Sequence, residues 1–142
     1  MFRAHRAALL ALACVAASSL TAPVLAQEAP TKAVVSIYRV APGKQMDFLK
    51  WMAAREALDR EAGVAASQWY AHMSGDSWDF IVVAPDLDDA TSDKVDELAR
   101  KRGLKTGPQA GLEFRQMMAS HTDTLAAGPY TASQLIEHAT KP

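Results

Sequence analysis

The stretch QWYAHMSGDSWDFIVV, residues 68–83, decides the fold. Two runs rich in aromatic and β-branched residues flank SGDS (74–77), a tetrapeptide of turn formers, and this order reads as a β-hairpin. With the turn at 74–77, Met73 faces Trp78, His72 faces Asp79, Ala71 faces Phe80, Tyr70 faces Ile81 and Trp69 faces Val82. Side chains alternate along a strand, so the pairs sort onto two faces. Trp69, Ala71, Met73, Trp78, Phe80 and Val82 form an apolar face expected to pack on helices. Gln68, Tyr70, His72, Asp79, Ile81 and Val83 form a mixed face expected to look into a lumen or onto a partner chain.

Working towards the N-terminus, AVVSIYRV (33–40) reads as a strand, on which Ser36 and Tyr38 share a face and are expected to join the mixed set. Pro42 and Gly43 break it. Residues 45–63 then place Phe48, Trp51, Met52, Arg55 and Leu58 at helical spacing, with Gly63 as a stop. Trp51 and Met52 are expected in the core. Towards the C-terminus, DLDDATSDKVDELARKRG (86–103) begins acidic and ends basic, as a helix dipole favours. Its Asp93 and Glu97 read as solvated charge. TGPQAG (106–111) reads as a break and LEFRQMMAS (112–120) as a helix. TDTLAA (122–127) fits either a short strand or a helix end, and GPY (128–130) is another break. TASQLIEHA (131–139) carries Thr131 and Gln134 at capping-box spacing and reads as a short terminal helix. The order is β-α-β-β-α-α-(β)-α. It predicts an α+β domain with one antiparallel sheet and helices on one face. The other face needs cover, and a second copy of the chain can supply it, which predicts a homodimer.

The segment VVSIYRVAPGKQMDFLKWM (34–52), together with the hairpin, resembles the opening of dimeric α+β barrel proteins, which have a ferredoxin-like fold. MMASHTDTLAAGPYTASQ (117–134) is similar to the closing segment of uncharacterised secreted members. The superfamily includes antibiotic-biosynthesis-type monooxygenases, haem-degrading enzymes and stress-response barrels of no known chemistry. The resemblance covers residues 33–130 and implies the fold, with no invariant catalytic signature to carry an activity. Haem-degrading members use an asparagine, and this chain has none, so that chemistry is not carried over.

The ends and the composition bound the rest. MFRAHR is a basic start, AALLALACVAASSL an uncharged apolar run, and Val24 and Ala26 sit at the −3 and −1 positions of a cleavage site. Residues 1–26 therefore read as a secretory signal peptide, with Gln27 as the new N-terminus and 27–142 as a single domain. The apolar run is broken by Ser18, Ser19, Thr21 and Pro23 and is too short for a membrane anchor. A lipoprotein reading would use Cys14, which lies too near Arg6, with Ala11 in place of the usual leucine. Cys14 is the chain's one cysteine and leaves with the signal, so the exported domain has no disulfide or thiolate chemistry. Loss of Arg3 and Arg6 leaves 13 basic residues of the 15 against 16 acidic, a formal charge of −3. That argues against nucleic-acid binding, which needs a basic footprint. RKRGLK (100–105) reads as a solvated helix end. The expected location is periplasmic or secreted, with no membrane contact after cleavage.

Candidate chemistry is sparse. His72 and Asp79, as cross-strand neighbours, are the catalytic candidates, because a carboxylate beside an imidazole builds a general base. The competing reading is an exposed pair near a hairpin end, worth under ~1 kcal/mol. Ser36, Tyr38, Gln68, Tyr70 and His121 are the ligand-binding candidates. His121 and Asp123 would diverge on a helix and share a face on a strand. They are read as a helix-to-strand junction whose Thr122, Asp123 and Thr124 bond freed backbone groups. His138 reads as a solvated helix-end residue. No metal-ligand spacing, Gly-rich phosphate loop or G-x-S-x-G elbow is present, and no cofactor is implied. The expected function is a non-catalytic module for a small organic ligand or a partner. The alternative is a cofactor-independent monooxygenase-like enzyme with His72 as base and Tyr70, Trp69 or Trp78 shaping the pocket.

Overall fold

The computed structural model describes residues 31–141. The signal-peptide reading of residues 1–26 lies outside the described residues. The elements are β1 (Thr31–Val40), α1 (Gln45–Ala62), β2 (Gln68–Ala71), β3 (Phe80–Pro85), α2 (Asp89–Lys101), α3 (Gly107–Arg115), β4 (Met118–Gly128) and α4 (Ala132–Thr140). The strands form one sheet in the order β2-β3-β1-β4, with every neighbouring pair antiparallel. β1 and β2 are thus joined through α1 and separated in space by β3. This is the split β-α-β arrangement of a ferredoxin-like α+β fold.

Local chemistry explains most of the boundaries. After β1 the chain turns at Pro42-Gly43, where Lys44 donates its N–H to Ala41 O at 3.0 Å and Gly43 takes φ 78°. α1 ends on Gly63 in the left-handed region, φ 89°, which a side chain would strain. α2 starts on Asp88, whose carboxylate accepts the Thr91 N–H at 2.7 Å. That bond also holds the Asp88 carboxyl below its ordinary range. α4 opens with a full capping box between Thr131 and Gln134.

The hairpin has the expected register, with Ala71 opposite Phe80, Tyr70 opposite Ile81 and Trp69 opposite Val82. Its ladder ends at Ala71 and Phe80, although His72 still donates its N–H to Asp79 O at 2.9 Å. The loop is looser than a four-residue turn, and Met73 is 96% exposed at its tip. The C-terminal half corrects the expected boundaries. TGPQAG is no break: Pro108 occupies the first turn of α3, where its missing N–H costs nothing. The helix ends at Arg115, five residues before the expected end, and residues 118–128 form the longest strand among the described residues. Met117 is buried and its carbonyl accepts the Ala41 N–H at 2.8 Å, so it closes the core where the helix stops. Pairing along β1 then satisfies the backbone groups of β4 that face it, with a bulge where Arg39 faces Ser120 and Val40 faces Met118.

The core lies between α1, α3 and one sheet face. Phe48 is fully buried at its centre, with its ring 5.1 Å from Tyr38, 5.9 Å from Phe80, 6.1 Å from Trp69 and 6.3 Å from Phe114. Trp51 and Met52 pack against this cluster as expected. Arg55 lies 4.0 Å over the Trp51 ring, a cation–π contact, and donates to Lys105 O at 2.9 Å. The opposite sheet face carries Val35, Ile37, Gln68, Tyr70, Ile81 and Val83 by register. Ile37 and Tyr70 there remain 41% and 53% exposed.

Candidate functional site

The strand registers divide the sequence candidates into three groups. Ser36 pairs with Val82, which pairs with Trp69, and Tyr38 pairs with Phe80. Ser36 and Tyr38 therefore lie on the helix-side face, 6% and 8% exposed, and do not join Gln68, Tyr70 and His72. The physical reason is the β1–β3 register, which no feature of either strand alone announces. Gln68 and Tyr70 stay on the bare face, where the Tyr70 hydroxyl donates to Gln68 Oε1 at 3.2 Å.

The second group is the hairpin corner. His72 and Asp79 meet through their backbones, while their side chains go elsewhere. The ladder to β3 ends beside Tyr38, which leaves the Val40 N–H without a strand carbonyl. Asp79 Oδ2 accepts it at 2.7 Å. The His72 ring lies edge-on to Trp78, with centroids 5.0 Å apart, and its Nε2 is buried without a hydrogen-bond partner. The carboxylate expected to orient this imidazole is thus committed to the β1 backbone.

The third group gathers on the helix-side face of β1 and β4. His121 lies inside a strand, not at a helix-to-strand junction, so His121 and Asp123 point the same way. β4 pairs with β1 so that His121 is opposite Tyr38 and Asp123 opposite Ser36. Ser36 Oγ donates to Asp123 Oδ1 at 2.7 Å, across 87 residues of sequence. Asp123 Oδ2 lies 3.5 Å from His121 Nε2. The imidazole meets the Phe114 ring edge-on at 4.8 Å and stacks over Tyr38 at 6.4 Å. Ser36 and Tyr38 are buried, and the His121 and Asp123 side chains beside them are 34% and 51% exposed. Such a set can hydrogen-bond a polar group while the aromatic rings hold an apolar one. The Asp123 carboxylate disfavours an anion and suits a hydrogen-bond donor.

Burial is the main cause that pushes the Tyr38 phenol above its ordinary pKa of 10.0, the Asp123 charge acts in the same direction, and a hydrogen bond with Ser36 opposes both. The folded pKa is raised, so the stability from keeping Tyr38 neutral is fully present below pH ~10 and is lost as pH rises through the folded value. The difference between wild-type and Tyr38→Phe absorbance titrations should show a phenol with a midpoint above 10. The wild-type protein should also lose stability more steeply than Tyr38→Phe across that range. A midpoint at or below 10 would contradict the burial of this hydroxyl.

A separate hollow near the end of α1 is lined by Glu56, Asp59, Val64 and Ser67. Glu56 accepts the Trp69 indole N–H at 2.5 Å, and burial, then the nearby Glu56 charge, raises the Asp59 pKa. Among the described residues no group of three His, Cys, Asp or Glu side chains is placed to hold a metal ion. No helix among them is long and apolar enough to cross a membrane.

Asp123 is the member of the third group that sequence reasoning left as a backbone-bonding residue. The alternation of His121 and Asp123 was a usable signal, but their partner Ser36 is reached only through the β1–β4 pairing.

No family model matches the chain, and no curated protein matches it. Solved structures of similar fold include an uncharacterized NIPSNAP domain protein from Burkholderia xenovorans, 17% identical with a TM-score of 0.43, covering 72% of this chain and 97% of that one. A dimeric ferredoxin-like protein of unknown function from Thermobifida fusca YX is 14% identical, with a TM-score of 0.46, over 73% of this chain and 96% of that one. A dimeric protein of unknown function and ferredoxin-like fold from Bacteroides fragilis NCTC 9343 is 14% identical, with a TM-score of 0.41, over 72% and 99%. The fold assignment of the present chain rests on its own strand order and pairing.

Proposed function

We propose that the protein is an exported homodimer that binds a small organic ligand over the helix-side face of β1 and β4. The observation that carries this reading is the convergence of Ser36, Tyr38, His121 and Asp123 beside Phe114. The ligand is neutral or amino-bearing, with a hydrogen-bond donor for Asp123 and an apolar part for the aromatic wall. Export follows from the basic start, apolar run and V-L-A site of residues 1–26. Dimerisation covers the bare sheet face, whose Ile37 and Tyr70 would otherwise face water.

The same set supports an enzymatic reading, because Ser36 fixes Asp123 and Asp123 lies beside His121. A cofactor-independent monooxygenase-like reaction would then take its proton on His121, with Asp123 positioning the ring. His72 lacks such a carboxylate, because its expected partner Asp79 is bound to the Val40 N–H.

One experiment tests the parts together. The full-length chain is expressed in an exporting bacterium, and the recovered protein is measured by native and denaturing mass spectrometry beside His121→Ala and Asp123→Ala. The expected result is a subunit beginning at Gln27, a native mass of two subunits, and a co-purifying small molecule lost from both variants. A retained Met1 or a lipidated Cys14 overturns export, and a monomer at micromolar concentration overturns the dimer. A molecule retained equally by both variants overturns the site. Recovery of the molecule in a chemically altered form from wild type alone would favour the enzymatic reading.

A further inference from the structure

Among the described residues, α4 buries no side chain of its own against its protomer. It spans nine residues, and helices shorter than ~12 residues are marginal in water unless packing holds them. Ala132, Leu135, Ile136 and Ala139 fall at i, i+3, i+4 and i+7, an apolar stripe along one side. No α4 residue is buried, and Leu135 and Ile136 are 53% and 65% exposed. Yet its structure is specified with care: a capping box at Thr131 and Gln134, a Lys141–Glu137 ion pair at 2.7 Å, and the Tyr130 ring edge-on to His138 at 5.3 Å. The apolar stripe is thus pre-formed and, among the described residues, exposed.

The bare sheet face has the complementary deficit. At ~3.3 Å per residue and ~4.8 Å between strands, a four-stranded sheet of this size has a flat footprint on the order of 500 Å2. A standard stable interface takes ~800 Å2 from each partner. A nine-residue helix, ~13 Å long and ~10 Å wide, adds about 130 Å2. In a two-fold dimer each copy gives one helix and receives one, so the two helices bring the footprint close to that standard. α4 also leaves from β4, which is an edge strand of that sheet, so it emerges at the rim of the proposed interface.

We propose that α4 is a dimer clasp: its Leu135 and Ile136 stripe docks on a second copy of this chain, at the margin of the bare sheet face. This rests on the homodimer reading above and adds the segment that holds the dimer together.

Two measurements on residues 27–142 test it. Dimer dissociation is followed by sedimentation for wild type, for Leu135→Ser/Ile136→Ser, and for a chain ending at Gly128. Hydrogen exchange of the α4 amides is followed in wild type at protein concentrations above and below the dissociation constant. The variants should dissociate at a concentration at least about a hundredfold higher, because two large apolar contacts are lost per copy and four per dimer. The α4 amides should be protected in the dimer and lose protection on dilution. A wild-type dimer whose variants associate as tightly overturns the clasp and leaves the dimer intact. Protection that does not change with concentration places α4 on its own protomer and overturns the clasp. Absence of protection at every concentration overturns it too, as expected if α4 serves a different protein. A wild-type monomer overturns the clasp and the homodimer together.

Discussion

Phe48→Ala should cost about 3–5 kcal/mol of unfolding free energy, the largest single-site effect expected. The ring is fully buried, and four aromatic partners from three strands and a helix surround it. Truncation removes the transfer free energy of the ring and leaves a cavity that rigid neighbours fill poorly. A single domain of this size has only ~5–15 kcal/mol to lose, so the variant should sit near its folding threshold. Urea unfolding of residues 27–142 gives the number. Phe48→Leu keeps much of the volume and should cost clearly less. Equal losses for Ala and Leu, or a loss under ~1 kcal/mol for Ala, would mean that the aromatic cluster does not organise the core.

Asp79→Ala should destabilise the domain by about 1–3 kcal/mol, while Asp79→Asn should lose less than half of that. The carboxylate accepts the Val40 N–H at 2.7 Å, at the point where the β3 ladder no longer reaches β1. Removing it strands the N–H of Val40, a residue that is 4% exposed. Asparagine keeps an acceptor oxygen, so it separates the hydrogen bond from the charge. His72→Ala is the control. If His72→Ala matched Asp79→Ala in size, and the two were non-additive, the imidazole and the carboxylate would be coupled after all. Additive effects are expected, because Asp79 bonds to the β1 backbone and His72 packs on Trp78.

The candidate site was only half legible before the structure. Residue type and strand pattern single out Ser36, Tyr38 and His121 but do not separate them from Gln68 and Tyr70, which face the other way. Asp123 was readable only as a residue that bonds local backbone, because its partner Ser36 is 87 positions away. The boundary between α3 and β4 failed for a related reason. LEFRQMMAS has apolar residues at helical spacing, and nothing local says that Met117 and Met118 belong to the sheet side of the core. Threonine at 122 and 124 favours a strand, but the strand forms because β1 offers it an unpaired edge.

What the sequence by itself determined is the local grammar. It specified the turn at Pro42-Gly43, the glycine that ends α1, the hairpin register across Trp69, Tyr70 and Ala71, and the capping box of α4. Each is written within a few consecutive residues, where φ/ψ preference, capping and the two-residue strand period act directly. Only the tertiary structure decided which face of β1 joins which face of the hairpin, and that His121 and Asp123 meet Tyr38 and Ser36. It alone gave the Asp79 carboxylate to Val40. Periodicity fixes which side chains of one strand lie together, but how two distant strands line up is set by the packing of the whole sheet against Phe48 and its neighbours. A slip of one residue in that alignment would exchange core for surface along the entire strand.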